Sequence, residues 1–287
     1  MELQLFKTLW GHDGDLGDAI DQALYAGFQG LEGQPSSRPH QCREHRQLLD
    51  KAGLAFIAEI CTAGGYVPDR TATVAAHLDD LSGKLDRAAL MGPTLVNCIG
   101  GCDAWPVADS VAFFREAGAM ARHRNVRICF ETHRGRSLFS PWRTAEILER
   151  LDLELTCDFS HWSVVCEGLG TSEDALIRDI TASAGHIHGR IGYDQGPQVP
   201  DPAADRYRPW LKQHQRWWEW VWAAQWGRGA PASSLTPEFG PDGYQAIDAT
   251  TGDPVGDLWN FNCWLAAAER RHFKDFIDRQ TQPTGDR

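Results

Sequence analysis

Apolar residues along this chain gather into short runs rich in β-branched and aromatic side chains. Longer stretches between them carry apolar positions at spacings of three and four. The short runs read as strands and the longer ones as helices. Eight strands are predicted, over 3–10 (LQLFKTLW), 28–33 (FQGLEG), 55–62 (AFIAEICT), 94–100 (TLVNCIG), 127–133 (RICFETH), 153–160 (LELTCDFS), 185–192 (GHIHGRIG) and 234–240 (SLTPEFG). Helices are predicted for LGDAIDQALYAGF, TVAAHLDDLSGKLDRAALMG and SVAFFREAGAMARHR, and DLWNFNCWLAAAERRHFKDFIDRQ reads as a closing helix before a frayed tail at 280–287. Strict alternation of strand and helix, with no linker or low-complexity stretch, predicts one α/β domain over 1–287, a (β/α)8 TIM barrel, whose usual length is about 250 residues. A doubly wound open sheet is the rival, but no strand runs into a GxGxxG or GxxxxGK[ST] turn.

Composition narrows the surroundings of this barrel. With 42% hydrophobic and 23% charged residues the chain reads as a soluble globular protein. No apolar run approaches the roughly 20 residues of a membrane span. The start, MELQLFKTLWGHDG, lacks the pattern of a secretion signal, so the cytoplasm is the default location. A formal charge of −11 with scattered lysines and arginines speaks against general nucleic-acid binding. The eight cysteines form no CxxC pair and read as reduced, mostly buried thiols.

A β/α barrel delivers the C-terminal ends of its strands to one mouth. The last four predicted strands bring Glu131 (CFETH), Asp158 (CDFSH), His188 (HIHGR) and Glu238 (TPEFG) there. Three carboxylates and an imidazole make a hard, oxygen-rich ligand set that suits Mn²⁺, Mg²⁺ or Co²⁺. Taken singly, each acidic residue could instead be a cap or an ion-pair partner. In HIHGR, alternation puts His186, His188 and Arg190 on one face, with His188 about 7 Å nearer the mouth at ~3.3 Å per residue. His188 is therefore the better ligand, and His186 reads as a deeper residue supporting it by hydrogen bonding.

The order Glu in FETH, Asp three residues before His in DFSH, HIH in strand seven and Glu in TPEFG resembles the xylose isomerase-like TIM barrel superfamily, which includes sugar phosphate isomerases and epimerases and the family 2 type of AP endonuclease. The resemblance covers nearly the whole chain. It implies one divalent metal ion, Mn²⁺ first and Mg²⁺ or Co²⁺ otherwise, held by Glu131, Asp158, His188 and Glu238. Glu131 and Glu238 would face each other across a sugar and move a proton next to its carbonyl through a metal-bound enediolate, the reaction of an isomerase or epimerase. His161 would contact a substrate oxygen, as its equivalent does in ketose epimerases. Trp10 and Trp162, at strand ends, are placed to stack on a sugar face. The chain departs from the ketose epimerases in HGRIG and ETHRGRS, where they carry further acidic residues. Arg190, with Arg134 or Arg136, makes the mouth more basic and points to a substrate bearing negative charge or an electron-rich carbonyl.

Other readings stay open at this point. The same proton abstraction would serve a lyase or hydratase on a keto-sugar or keto-glycoside, and the bland alternative is a sugar-binding barrel without catalysis. The endonuclease type fits poorly, because no DxH follows His188 and early strands lack extra histidines. The partner expected is a small sugar or sugar derivative, with neither nucleic acid nor membrane. The helical stripe of Trp218, Val221, Trp222 and Ala223 in RWWEWVWAAQW would pack on the barrel or on a second subunit, so a homo-oligomer is compatible with the pattern.

Overall fold

The computed structural model describes residues 1–241 and 243–282. All eight expected strands form: β1 Glu2–Thr8, β2 Gly30–Gly33, β3 Ala55–Cys61, β4 Leu95–Ile99, β5 Ile128–Glu131, β6 Leu155–Cys157, β7 Ala184–Gly189 and β8 Ala232–Pro237. Every pairing is parallel and joins sequence neighbours, and β8 returns to β1 with Leu235 opposite Leu5, so the sheet closes into an eight-stranded barrel. Around it, among the described residues, run α1 Leu16–Ala26, α2 Pro39–Ala52, α3 Val74–Met91, α4 Val107–His123, α5 Pro141–Leu148, α6 Phe159–Val165, α7 Asp174–Ile180, α8 Arg208–Gly227 and α9 Leu258–Thr281. The architecture is the (β/α)8 barrel that the alternating pattern predicts.

Local chemistry explains where elements start and stop. Asp15 opens α1 by accepting from Asp18 N at 3.0 Å, while the Asp18 carboxylate accepts from Asp15 N at 3.2 Å, a reciprocal capping box. Gly27 closes the same helix at φ 70°, a left-handed position that turns the chain into β2. Phe6, Ile57, Leu95 and Cys129, from four strands, pack together inside the barrel. Toward the mouth the interior lining turns polar, and that change positions the site.

Three local expectations need correction. Strand six stops at Cys157, because the Asp158 side chain accepts from Ser160 N at 2.9 Å and caps α6; Ser160, His161 and Trp162 are therefore helical. The closing helix extends to Thr281, into the segment expected to fray, and 283–287 lie outside the described residues. In α8, Trp218, Val221 and Trp222 are buried as expected, but Ala223 is exposed and Gln225 takes its place on the inner face. Trp222 packs on Phe273 and Phe276 of α9, so the stripe serves the barrel's own helical layer. Among the described residues no helix is long and apolar enough to cross a membrane.

Candidate functional site

The C-terminal ends of five strands converge on one buried centre. Glu131 ends β5, Asp158 follows β6, His188 sits in β7, Glu238 follows β8, and Glu32 rises from β2. All five are at most 4% exposed. Ligand atoms of Glu131, Asp158 and His188 lie within 4.8 Å of one another. Glu238 joins at the same imidazole: its Oε2 stands 3.0 Å from His188 Nδ1, and Glu131 Oε2 lies 3.6 Å from the same nitrogen. His188 Nδ1 and Glu238 Oε2 are both buried and have no hydrogen-bond partner among the described residues. Buried polar atoms that lie close without a well-formed hydrogen bond are costly unless something joins them. Neighbouring ligand atoms of an octahedral ion with bonds of about 2.1 Å stand about 3.0 Å apart, so the pair fits a shared hard cation.

Glu32 explains why Nδ1 is the nitrogen turned to the other carboxylates. Its Oε1 accepts from His188 Nε2 at 3.0 Å, and its Oε2 lies 3.2 Å from His186 Nε2 and accepts from the Thr236 hydroxyl. Burial alone would raise the Glu32 pKa, but the His188 and His186 imidazoles together outweigh it and hold this carboxyl well below its usual range. An ionised Glu32 holds one His188 proton on Nε2. Burial opposes a charged imidazole, but Glu238, Glu32 and Glu131 together push the His188 pKa well above its usual range. Nδ1, which faces Glu238 and Glu131, is the nitrogen that would exchange its proton for a metal ion. His186 lies one pleat deeper, with its Nδ1 2.7 Å from Ser234 Oγ. Replacing Glu32 by Gln keeps the shape but removes this charge. The expected outcome is Mn²⁺ binding weakened by about 10–100-fold, measured by calorimetry; unchanged affinity would reduce Glu32 to packing.

Arg190 is engaged more tightly than a substrate-reading arginine would be. Its guanidinium donates to Asp158 Oδ2, to Ser160 Oγ at 3.1 Å and to His161 Nε2 at 2.9 Å, and its Nη1 lies 3.5 Å from Glu238 Oε2. The close approach depends on Gly192, where a Cβ would stand 2.4 Å from Ser160 O. A guanidinium only donates, so His161 Nε2 accepts and its proton sits on Nδ1, a buried donor without a partner among the described residues. His133, whose ring centroid is 3.9 Å from that of His161, donates from Nδ1 to Arg134 O at 2.6 Å and keeps its Nε2 lone pair. Burial first, then neighbouring cationic groups, holds both imidazoles neutral.

The remaining expected residues divide between mouth and interior. Trp10 lines the mouth with Tyr66 and Tyr244, at ring distances of 5.3 and 5.1 Å. Beneath these rings Glu131, His133, Arg190 and Glu238 surround a space of about 10 Å³, roughly one water. Arg134, half-buried, stacks on Tyr244 at 5.4 Å. Arg136 is fully buried and donates to the carbonyls of Thr62, Gly65, Tyr66 and Gly101, so it holds the loops after β3 and β4 rather than presenting its donors to the mouth. Trp162 is buried against Phe159 with its Nε1 donating to Leu138 O, inside the apolar core rather than on the mouth. Reading the sequence missed Glu32, Tyr66, Tyr244 and the part played by His133. A lone carboxylate within the apolar strand GLEG and the second half of FETH were the available signals; the tyrosines stand on loops that carry none.

Fold and site together define a β/α barrel with a buried acid–imidazole centre at its C-terminal mouth. Residues 20–213 match the family model of the xylose isomerase-like TIM barrel, and the chain belongs to that family. No curated protein sequence matches it. Among solved structures it is similar to an L-ribulose 3-epimerase (TM-score 0.68, 14% identity, 99% of each chain covered). It is also similar to a 3-keto-D-glucoside 4-epimerase from E. coli (TM-score 0.61, 12% identity, 93% of this chain and 100% of the other). A third is a probable 3-DHS dehydratase from Bacillus anthracis (TM-score 0.60, 10% identity, 94% and 100%). At these identities the likeness is one of fold.

Proposed function

We propose that this protein is a divalent-metal-dependent isomerase or epimerase of a sugar or sugar derivative, working by proton abstraction next to a carbonyl. The observation that carries the reading is the buried pair His188 Nδ1 and Glu238 Oε2, 3.0 Å apart beside Glu131 and Asp158 and without a well-formed hydrogen bond among the described residues. The 3- and 4-epimerases and the dehydratase of similar fold support the substrate class. Glu131, Asp158, His188 and Glu238 would hold the ion, Mn²⁺ by choice among Mn²⁺, Mg²⁺ and Co²⁺. Bound there, it supplies Lewis-acid polarisation of a substrate carbonyl.

The chain's own residues do the rest. Glu131, oriented by Asn97 Nδ2 at 2.7 Å, and Glu238, from the strand end across the mouth, are the acid–base pair: one takes the α-proton and the other returns it. His161 offers its Nδ1–H to a substrate oxygen, and Arg190 holds Asp158 and His161 in place while its Nη1 faces the cavity. Trp10 provides an apolar face for the ring, and Arg134 stands where an anionic substituent would meet it.

Incubation with Mn²⁺ and a panel of sugars, keto-sugars and glycosides in D₂O tests the reading. Deuterium entering a carbon next to a carbonyl supports it. Exchange accompanied by loss of a β-substituent would make the protein a lyase or hydratase, and ligand binding without any exchange would leave a sugar-binding barrel.

Metal binding should also be pH-linked. Burial first, with help from Glu238 and Asp158 and against the pull of His188, pushes the Glu131 carboxyl up to about 8 from its ordinary 4.5. In metal-free protein that raised value gives stability present below about 4.5 and lost as pH rises through about 8. Mn²⁺ competes with this proton, so the rise in Tm on adding Mn²⁺ is expected to be larger above pH 8 than near pH 5. Thermal melts at both ends of the window check it, and an equal rise at both would mean that Glu131 is not a ligand.

A further inference from the structure

Lys7 lies outside the catalytic machinery and forms no ion pair among the described residues. Phe6 packs inside the barrel, so alternation along β1 turns Lys7 outward, between the sheet and the helices. The residue is 4% exposed. Its ammonium donates to Thr8 O at 3.2 Å and lies 5.0 Å over the Trp259 ring. No carboxylate pairs with it among the described residues, and no other hydrogen bond is made. Burial pushes its pKa down to about 8, which leaves the ammonium the main form at neutral pH. Buried charges in proteins are ordinarily paired and hydrogen-bonded, because desolvation is repaid only by a partner.

The side chain opens into a cleft of about 330 Å³ that Gln22, His12, Trp259 and Trp10 also line. The first turn of the 24-residue helix α9 forms part of its wall, and a helix N-terminus carries a partial positive charge. Two carboxylates stand in the cleft as well. Asp257 is occupied in capping α9, accepting from Asn260 N at 2.7 Å, and Asp13 is exposed. Trp10 lines both this cleft and the small catalytic cavity, so its indole is the partition between them.

We propose that this cleft is a binding site for a small oxyanion, a carboxylate or phosphate group, with Lys7 as its charged anchor. The anion supplies the counter-charge that no described residue gives Lys7, the start of α9 adds its dipole, and Gln22 offers an amide donor. The site adjoins the catalytic centre, yet it rests on Lys7 alone and stands whether or not the isomerase reading does.

Inorganic phosphate is the probe, titrated by thermal shift and calorimetry against the parent protein, Lys7→Met and Lys7→Arg. The parent and Lys7→Arg are expected to bind it saturably, and Lys7→Met to lose at least about tenfold in affinity. In phosphate-free buffer Lys7→Met should be no less stable than the parent, since it removes an unpaired buried cation while keeping the stem's apolar contacts. Absence of saturable binding by the parent, or undiminished binding by a folded Lys7→Met, overturns the proposal. A parallel titration with D-ribulose 5-phosphate separates the sources. Tighter binding of the sugar ester, lost in Lys7→Met, assigns the anion to a substrate; equal binding assigns it to a free ion.

Discussion

Glu131→Gln and Glu238→Gln are each expected to slow α-carbon deuterium exchange by about 10²–10⁴-fold, the usual contribution of a positioned general acid or base. Both side chains are buried at the cavity between His133 and Arg190, on strand ends that face each other across the mouth. A glutamine keeps the shape and one oxygen ligand but cannot accept a proton. Bound metal should therefore fall much less than rate, and each variant is to be assayed with its metal content measured. Near-parental exchange by both metal-loaded variants would move the proton acceptor elsewhere. His133 is then next, because its Nε2 keeps a lone pair, whereas His161 presents a donor on Nδ1 and its Nε2 is already taken by Arg190.

Arg190→Met is expected to destabilise the metal-free protein by about 3–5 kcal/mol, the range found when one member of a buried ion pair is removed. Asp158 is 0% exposed, and without Arg190 its charge would face Glu238 and Glu131 with the Ser160 contacts and the His188 imidazole as compensation. Mn²⁺ should restore part of the loss, since the ion brings positive charge to the same carboxylates. Adding Asp158→Asn to Arg190→Met should recover stability in the metal-free state, because the stranded charge is gone. Denaturant titrations with and without Mn²⁺ give the measurement. A loss below about 1 kcal/mol in metal-free protein would show that the pair is not the buried, charge-compensating contact its geometry implies.

The barrel was legible because each strand is a short apolar run and each crossover helix shows its own period, both local properties that survive without tertiary contacts. Boundaries were less legible. Asp158 looked like a strand residue, yet a side chain that can accept from Ser160 N competes with the ladder and starts a helix instead. Placement of the four expected ligands at the mouth followed from strand ends alone, since parallel strands in a closed barrel all point their C-termini the same way.

The sequence by itself determined the element order, the (β/α)8 class and which strand ends carry carboxylates or imidazole. Tertiary structure alone decided which charges meet. Glu32 and His188 are far apart in the chain and become neighbours only because β2 and β7 face the same interior. The three arginines that looked alike in sequence part for the same reason: Arg136 turns into a nest of loop carbonyls, Arg190 is drawn onto Asp158, and Arg134 stays at the mouth over Tyr244. Periodicity reports the face on which a side chain lies, but the partner it finds depends on distances across the closed barrel, which no local pattern encodes.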